Sequence, residues 1–171
     1  LHNAFSWLTN NDEDNKNVQT ELECSVFFIL PVYMEQANIS QVISHYSNVL
    51  KLYKNAYLIV VAAQKEDYIN NEEFENKTTY DIAKKYIANN KYSNVLIIKY
   101  PKDGGYMAHQ VNFAFRYCDK YFLRETKWLF LLNIDSYYTD KGIKNIVETC
   151  QTGEKKIYQY STLFMRNFDK F

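Results

Sequence analysis

Asn133 and Asp135 stand two residues apart at the end of an unbroken apolar run, Trp128-Leu-Phe-Leu-Leu132. In extended chain the period of two puts both on one face. A carboxylate with an amide oxygen beside it can take a hard cation such as Mg²⁺ or Mn²⁺, which in turn holds phosphate oxygens. The same residues, with Ser136, are also favoured in a turn that ends a strand, and a single carboxylate is a weak metal motif. Gly104 and Gly105 close the loop-forming segment Pro101-Lys-Asp-Gly-Gly105, either as a turn or as a place where backbone approaches a ligand. No GxGxxG or Walker pattern accompanies them. Glu35 precedes a helical pattern and can act in its first turn. His109 offers acid/base or ligand chemistry, although a histidine on a helix is more often simply hydrogen-bonded. His2 and His45 form no constellation with cysteine, which counts against zinc. No serine sits in a nucleophile elbow, which counts against an acyl hydrolase.

These residues need strands and helices to place them. Ser25–Leu30, Ala56–Ala63, Asn94–Tyr100 and Trp128–Leu132 read as strands, with Pro31 ending the first because it cannot donate to a ladder. The run Trp128–Leu132 fits a strand buried on both faces, as in a parallel sheet covered by helices. Lys156–Phe164 reads as a fifth strand, set off by Gly153. Helical spacing of apolar residues marks Ile39–Lys54, Thr79–Asn89, Met107–Cys118 and Lys141–Cys150. Strands alternating with helices predict an α/β domain with a mostly parallel sheet, helices on both faces and right-handed crossovers. The sites named above then fall where strands leave the sheet, the edge at which open α/β sheets bind ligands. Residues 1–22 carry a small apolar patch (Phe5, Trp7, Leu8) and a polar run, and read as an N-terminal arm or linker ahead of a domain over 23–171.

The bulk properties exclude several classes. The chain has 171 residues, the length of one domain, and 20 Lys+Arg against 20 Asp+Glu leave no global field for nucleic acid or an anionic membrane. Cys24, Cys118 and Cys150 are too few and too widely spaced for a disulfide framework or a CxxC zinc site. They suit a reducing, cytoplasmic compartment, the cytoplasmic face of a membrane included. No apolar run approaches the ~20 residues of a membrane span, and no signal peptide is visible. A chain that begins at Leu1 rather than Met is compatible with a trimmed piece of a longer one, and the sequence does not decide it.

Four segments in order resemble the nucleotide-binding part of family-2 glycosyltransferases, which have the GT-A fold, a Rossmann-like architecture. They are Leu30-Pro-Val-Tyr-Met-Glu35, Val60-Val-Ala-Ala-Gln-Lys-Glu-Asp67, Gly104-Gly-Tyr-Met-Ala-His-Gln-Val-Asn-Phe-Ala114 and Asn133-Ile-Asp-Ser-Tyr-Tyr-Thr-Asp140. The resemblance runs from about Ser25 to Ser161. It implies a nucleotide-diphosphate sugar donor, a glycan or lipid-linked acceptor, a divalent metal (Mg or Mn) and transfer with inversion to an acceptor hydroxyl. It implies that Pro31 and Tyr33 line the base pocket, with the Tyr33 ring against the base. Glu35 would then lie near the ribose, and Gly104 and Gly105 beside the donor. Asn112 would lie in the helix next to the nucleotide, with Asn133 close by, and Asp135 would bind the metal. On this reading Tyr33 and Asp135 face one cleft.

The departures are specific. Asn133 stands where the family has a first Asp, which removes one charge from the metal site. Ala63 replaces an Asp that contacts the base, with Gln64 the available substitute. Met107 replaces a Lys near the diphosphate, a charge that Lys102 can supply. The family's catalytic base belongs to a later acidic motif, so no catalytic residue is assigned. These departures keep a second expectation open, a degenerate or truncated nucleotide-sugar-binding or scaffold domain. A nucleotidyltransferase is disfavoured because no glycine-rich loop follows the first strand.

Overall fold

A computed structural model of the chain describes residues 19–102, 104, 106–122 and 127–152, together with the backbone of 163–164. Four strands, β1 (Ser25–Val32), β2 (Ala56–Ala63), β3 (Val95–Tyr100) and β4 (Lys127–Leu131), form an all-parallel sheet in the order β3-β2-β1-β4. The helices between and after them are α1 (Ile39–Leu50), α2 (Thr79–Asn90), α3 (Met107–Tyr121) and α4 (Asp140–Thr152). The expected α/β architecture is therefore present, with each strand and helix within a few residues of its expected span.

The period of two along the strands builds two cores. Val26, Phe28 and Leu30 of β1 face α1, α2 and α4, whereas Phe27 and Ile29 face α3 through Ala114 and Cys118. The chain steps from β1 to β2 to β3 with α1 and α2 on the first face. It then returns past β1 to β4 with α3 on the second. Reversing the direction of travel and changing face together is what right-handed crossovers require.

Two expectations about strands need correction. β1 runs through Pro31 to Val32, in register with Val61 and Ala62. The Leu132 N–H donates to the Ile29 carbonyl, so by the period of two Pro31 also faces β4. The β1–β4 ladder has its last pair at Ile29 and Leu131, so the N–H that proline lacks is not called on. β4 is not buried on both faces: Leu129 and Leu131 are 39% and 48% exposed. They lie opposite Phe27 and Ile29, on the face where α3 packs over β1, β2 and β3.

A small antiparallel pair, β5 (Ser136–Tyr137) with β6 (Leu163–Phe164), lies outside the main sheet. It holds the last two residues of the expected fifth strand, whose residues 156–162 lie outside the described residues. Residues 1–18 of the expected arm do so as well. The end of that arm belongs to the domain: Thr20 pairs with Tyr53, and Leu22 is buried in the core.

Candidate functional site

The order β3-β2-β1-β4 places the switch point between β1 and β4, where consecutive connections leave in opposite directions. The loop after β1 is pinned by the connection that follows β2. Glu66, in a 3-10 turn after β2, is 3% exposed. One of its carboxylate oxygens accepts the Met34 N–H at 2.8 Å and the other accepts the Thr79 N–H at 2.7 Å. The Glu35 N–H donates to the Thr79 hydroxyl at 2.9 Å. Met34 adopts φ 57°, a left-handed conformation that costs a non-glycine residue energy and persists because these bonds hold it.

The loop after β4 is held by α1. Tyr46 is buried, and burial together with nearby Tyr138 pushes its hydroxyl pKa up, so it stays protonated and donates to the Ser136 carbonyl at 3.4 Å. His45 Nε2 lies 2.7 Å from the Tyr138 carbonyl oxygen. That oxygen only accepts, so Nε2 carries the proton. The His45 ring stacks on Tyr137 at 4.6 Å, and its Nδ1 is 3.8 Å from the Asp140 carboxylate.

Between the two loops lies a cavity of ≈ 420 Å³, lined by Glu35, Asn38, Gln41, Val42, His45 and Tyr46 on one side and Ile134, Asp135, Ser136 and Tyr137 on the other. Asn38 donates to the Glu35 carboxylate at 3.2 Å, which turns Glu35 toward the first turn of α1. Glu35 and Asp135 thus share one cavity. Among the described residues, no three His, Cys, Asp or Glu side chains converge on a metal position. A hard cation here would have to be held through Asp135, with its other oxygens coming from water or a ligand. Mg²⁺ is commonly bound in that way, through one or two carboxylates.

The remaining candidates are spread along the rim of the sheet. Tyr33 does not line that cavity; the Lys65 ammonium sits 3.8 Å above its ring. Gln64 follows β2 and donates to the Tyr68 hydroxyl at 3.5 Å. Pro31 is buried in β1. Asn133 is exposed, and its carbonyl accepts the Ser136 N–H at 2.9 Å in the turn that presents Asp135. Gly104 is exposed, and a Cβ there would meet nothing within 4 Å. Gly105 lies outside the described residues. Asn112, on α3, lines a different groove together with Lys102.

Glu66, His45 and Gln110 were not expected to matter. Gln110, buried at the start of α3, donates both amide hydrogens, to the Val32 carbonyl at 3.0 Å and the Val61 carbonyl at 2.7 Å. It thereby ties the exits of β1 and β2 together. The sequence signal for Gln110 was its place on the Ala114–Cys118 stripe of α3, where a polar residue must find partners once buried. Glu66 and His45 act through loop backbone, which leaves no spacing signature.

No protein-family profile matches the chain, and no characterised protein matches it in sequence. Among solved structures it is similar to the crystal structure of TarS 1-349 from S. aureus, with 15% identity and a TM-score of 0.48. The match covers 72% of this chain and 31% of that one. The architecture itself stands on the parallel β3-β2-β1-β4 sheet and its helices.

Proposed function

We propose that the chain is the nucleotide-binding part of a glycosyltransferase, which moves a sugar with inversion from a nucleotide-diphosphate donor to an acceptor hydroxyl. The observation that carries this reading is the shared cavity of Glu35 and Asp135, built by the exits of β1 and β4 where the strand order reverses. The four motif-like segments support it. Asp135 would hold a divalent cation through its carboxylate. When bound, that cation offsets charge on the departing diphosphate as the sugar gains oxocarbenium character. Glu35, oriented by Asn38, would accept a hydrogen bond from a ribose hydroxyl. Lys65 covers one face of Tyr33, so a base would stack on the opposite face. The Glu66 clamp holds that ring's backbone in position before the ligand arrives, which limits the ordering cost of binding.

Calorimetry with UDP and GDP, with and without Mn²⁺, tests the reading. Binding should require Mn²⁺ and disappear in Asp135→Ala; a folded protein that binds no nucleotide overturns it. A second reading, a nucleotide-binding or scaffold domain without catalysis, is favoured by the presence of one carboxylate where the family has two. Nucleotide binding indifferent to Mn²⁺, with no turnover of radiolabelled donor by the full-length gene product, would select it.

A further inference from the structure

A second groove, of ≈ 300 Å³, lies between the loop after β3 and the N-terminal half of α3, lined by Tyr100, Lys102, His109, Asn112, Phe113 and Arg116. The α3 residues follow the i, i+3, i+4, i+7 pattern of one helix face, while Gln110, Ala114 and Cys118 take the face against the sheet. The groove therefore sits on the α3 side. The Glu35–Asp135 cavity is built on α1, on the other side.

Its chemistry is of one kind. The Tyr106 N–H donates to His109 Nδ1 at 3.2 Å, which puts the proton of the neutral ring on Nε2 and makes that nitrogen a donor. Asn112 adds an amide, and Lys102 and Arg116 add two cations. Among the described residues that line the groove there is no carboxylate. Among the described residues neither Lys102 nor Arg116 forms a salt bridge. Tyr100 and Phe113 meet edge to face at 5.7 Å and form an apolar wall. With 20 basic and 20 acidic residues in the chain, this clustering is local: the charged residues described in the first cavity include Glu35 and Asp135, and those described in this groove are Lys102 and Arg116. A guanidinium fork matches phosphate oxygens in pairs, and an ammonium adds a point charge. Donors at several angles suit a tetrahedral phosphate better than a planar carboxylate.

We propose that this groove is a separate binding site for an organic phosphate other than the nucleotide. The proposal rests on the groove's own residues and is independent of the sugar-transfer reading.

Titration of ¹⁵N-labelled protein with phenyl phosphate, followed by NMR at low salt, tests the proposal. Saturable shifts are expected at the amides of His109, Asn112 and Arg116, and should weaken as NaCl is added. Arg116→Glu should reduce the affinity by roughly tenfold or more, and Arg116→Gln by less. Arg116 is exposed, so both variants should fold, which circular dichroism checks. Mn²⁺-dependent UDP binding should be unchanged in them. No saturable shift on α3, full affinity in Arg116→Glu, or shifts confined to the Glu35–Asp135 cavity would each overturn the proposal. So would loss of UDP binding in Arg116→Glu, which would make the groove part of the nucleotide site. An Asp135→Ala variant that still binds UDP with Mn²⁺ sinks the transfer reading alone, because phenyl phosphate reports on the groove independently.

Discussion

Glu66 shows how a buried charge can serve a site it does not touch. Both of its carboxylate oxygens are occupied by backbone N–H groups, from Met34 in the loop after β1 and from Thr79 at the start of α2. In Glu66→Gln the amide nitrogen must face one of these donors, so one bond is lost and a buried N–H is left without its acceptor. The expected cost is about 1–3 kcal/mol, measured by urea unfolding; on the proposed function nucleotide affinity should fall as well, because Met34 and Glu35 are released. A variant as stable as the parent would show that the clamp is dispensable. His45 acts similarly on the opposite loop. Its partners, the Tyr138 carbonyl, the Tyr137 ring and the Asp140 carboxylate, lie 92 to 95 positions later in the sequence. No local pattern could announce that meeting, whereas Asp135 was legible because strand ends place their own side chains.

At the level of elements, the helices and strands were readable where burial follows a period, and less so where partners decide. β2 lies at its expected span, Ala56–Ala63, because it is a continuous apolar run with a strand on either side. β4 is also a largely apolar run but sits at the end of the sheet order, so Leu129 and Leu131 reach solvent; the number of neighbours is not encoded in the run itself. Pro31 misled for a related reason, since its missing donor matters only if β4 is still alongside. α3 is fastened by Gln110, and Gln110→Leu would remove its two bonds to the Val32 and Val61 carbonyls. About 2 kcal/mol or more should be lost, read by thermal or urea unfolding. α2 carries a reciprocal cap: the Asp81 N–H donates to the Thr78 hydroxyl, and the Asp81 carboxylate accepts the Thr78 N–H. Burial disfavours the Asp81 charge, but the Thr78 hydrogen bonds and nearby Lys99 and Lys84 outweigh it and hold its pKa below the usual 3.8. A lowered carboxylate pKa contributes stability above the ordinary value, which is lost as pH falls through the depressed one. Protection of the first-turn amides of α2 against exchange, relative to their intrinsic rates, should therefore fall on acidification below about pH 4, and Asp81→Asn should remove that dependence.

Across the whole molecule, one side of the sheet is backed by α1, α2 and α4, while α3 leaves Leu129 and Leu131 of β4 partly bare on the other. This asymmetry makes a sharp comparison. Ile29→Ala should cost about 2–5 kcal/mol, whereas Leu131→Lys, at its register partner on the same face, should stay within about 0.5 kcal/mol. Denaturation of the two variants checks the pair, and a large loss in the second would mean that something covers β4 in solution. The strand order also sets a sequence of events in folding. Val26 meets Ala56 on one side but waits for Trp128 on the other, so β1 finds β2 early and β4 only after most of the domain has been made. Long-range parallel pairing is slow because loop closure must come before contact. Asp135 follows β4. On the proposed reading, nucleotide would stabilise only chains in which β4 has already joined β1, so ligand affinity would come with that long closure and not before it.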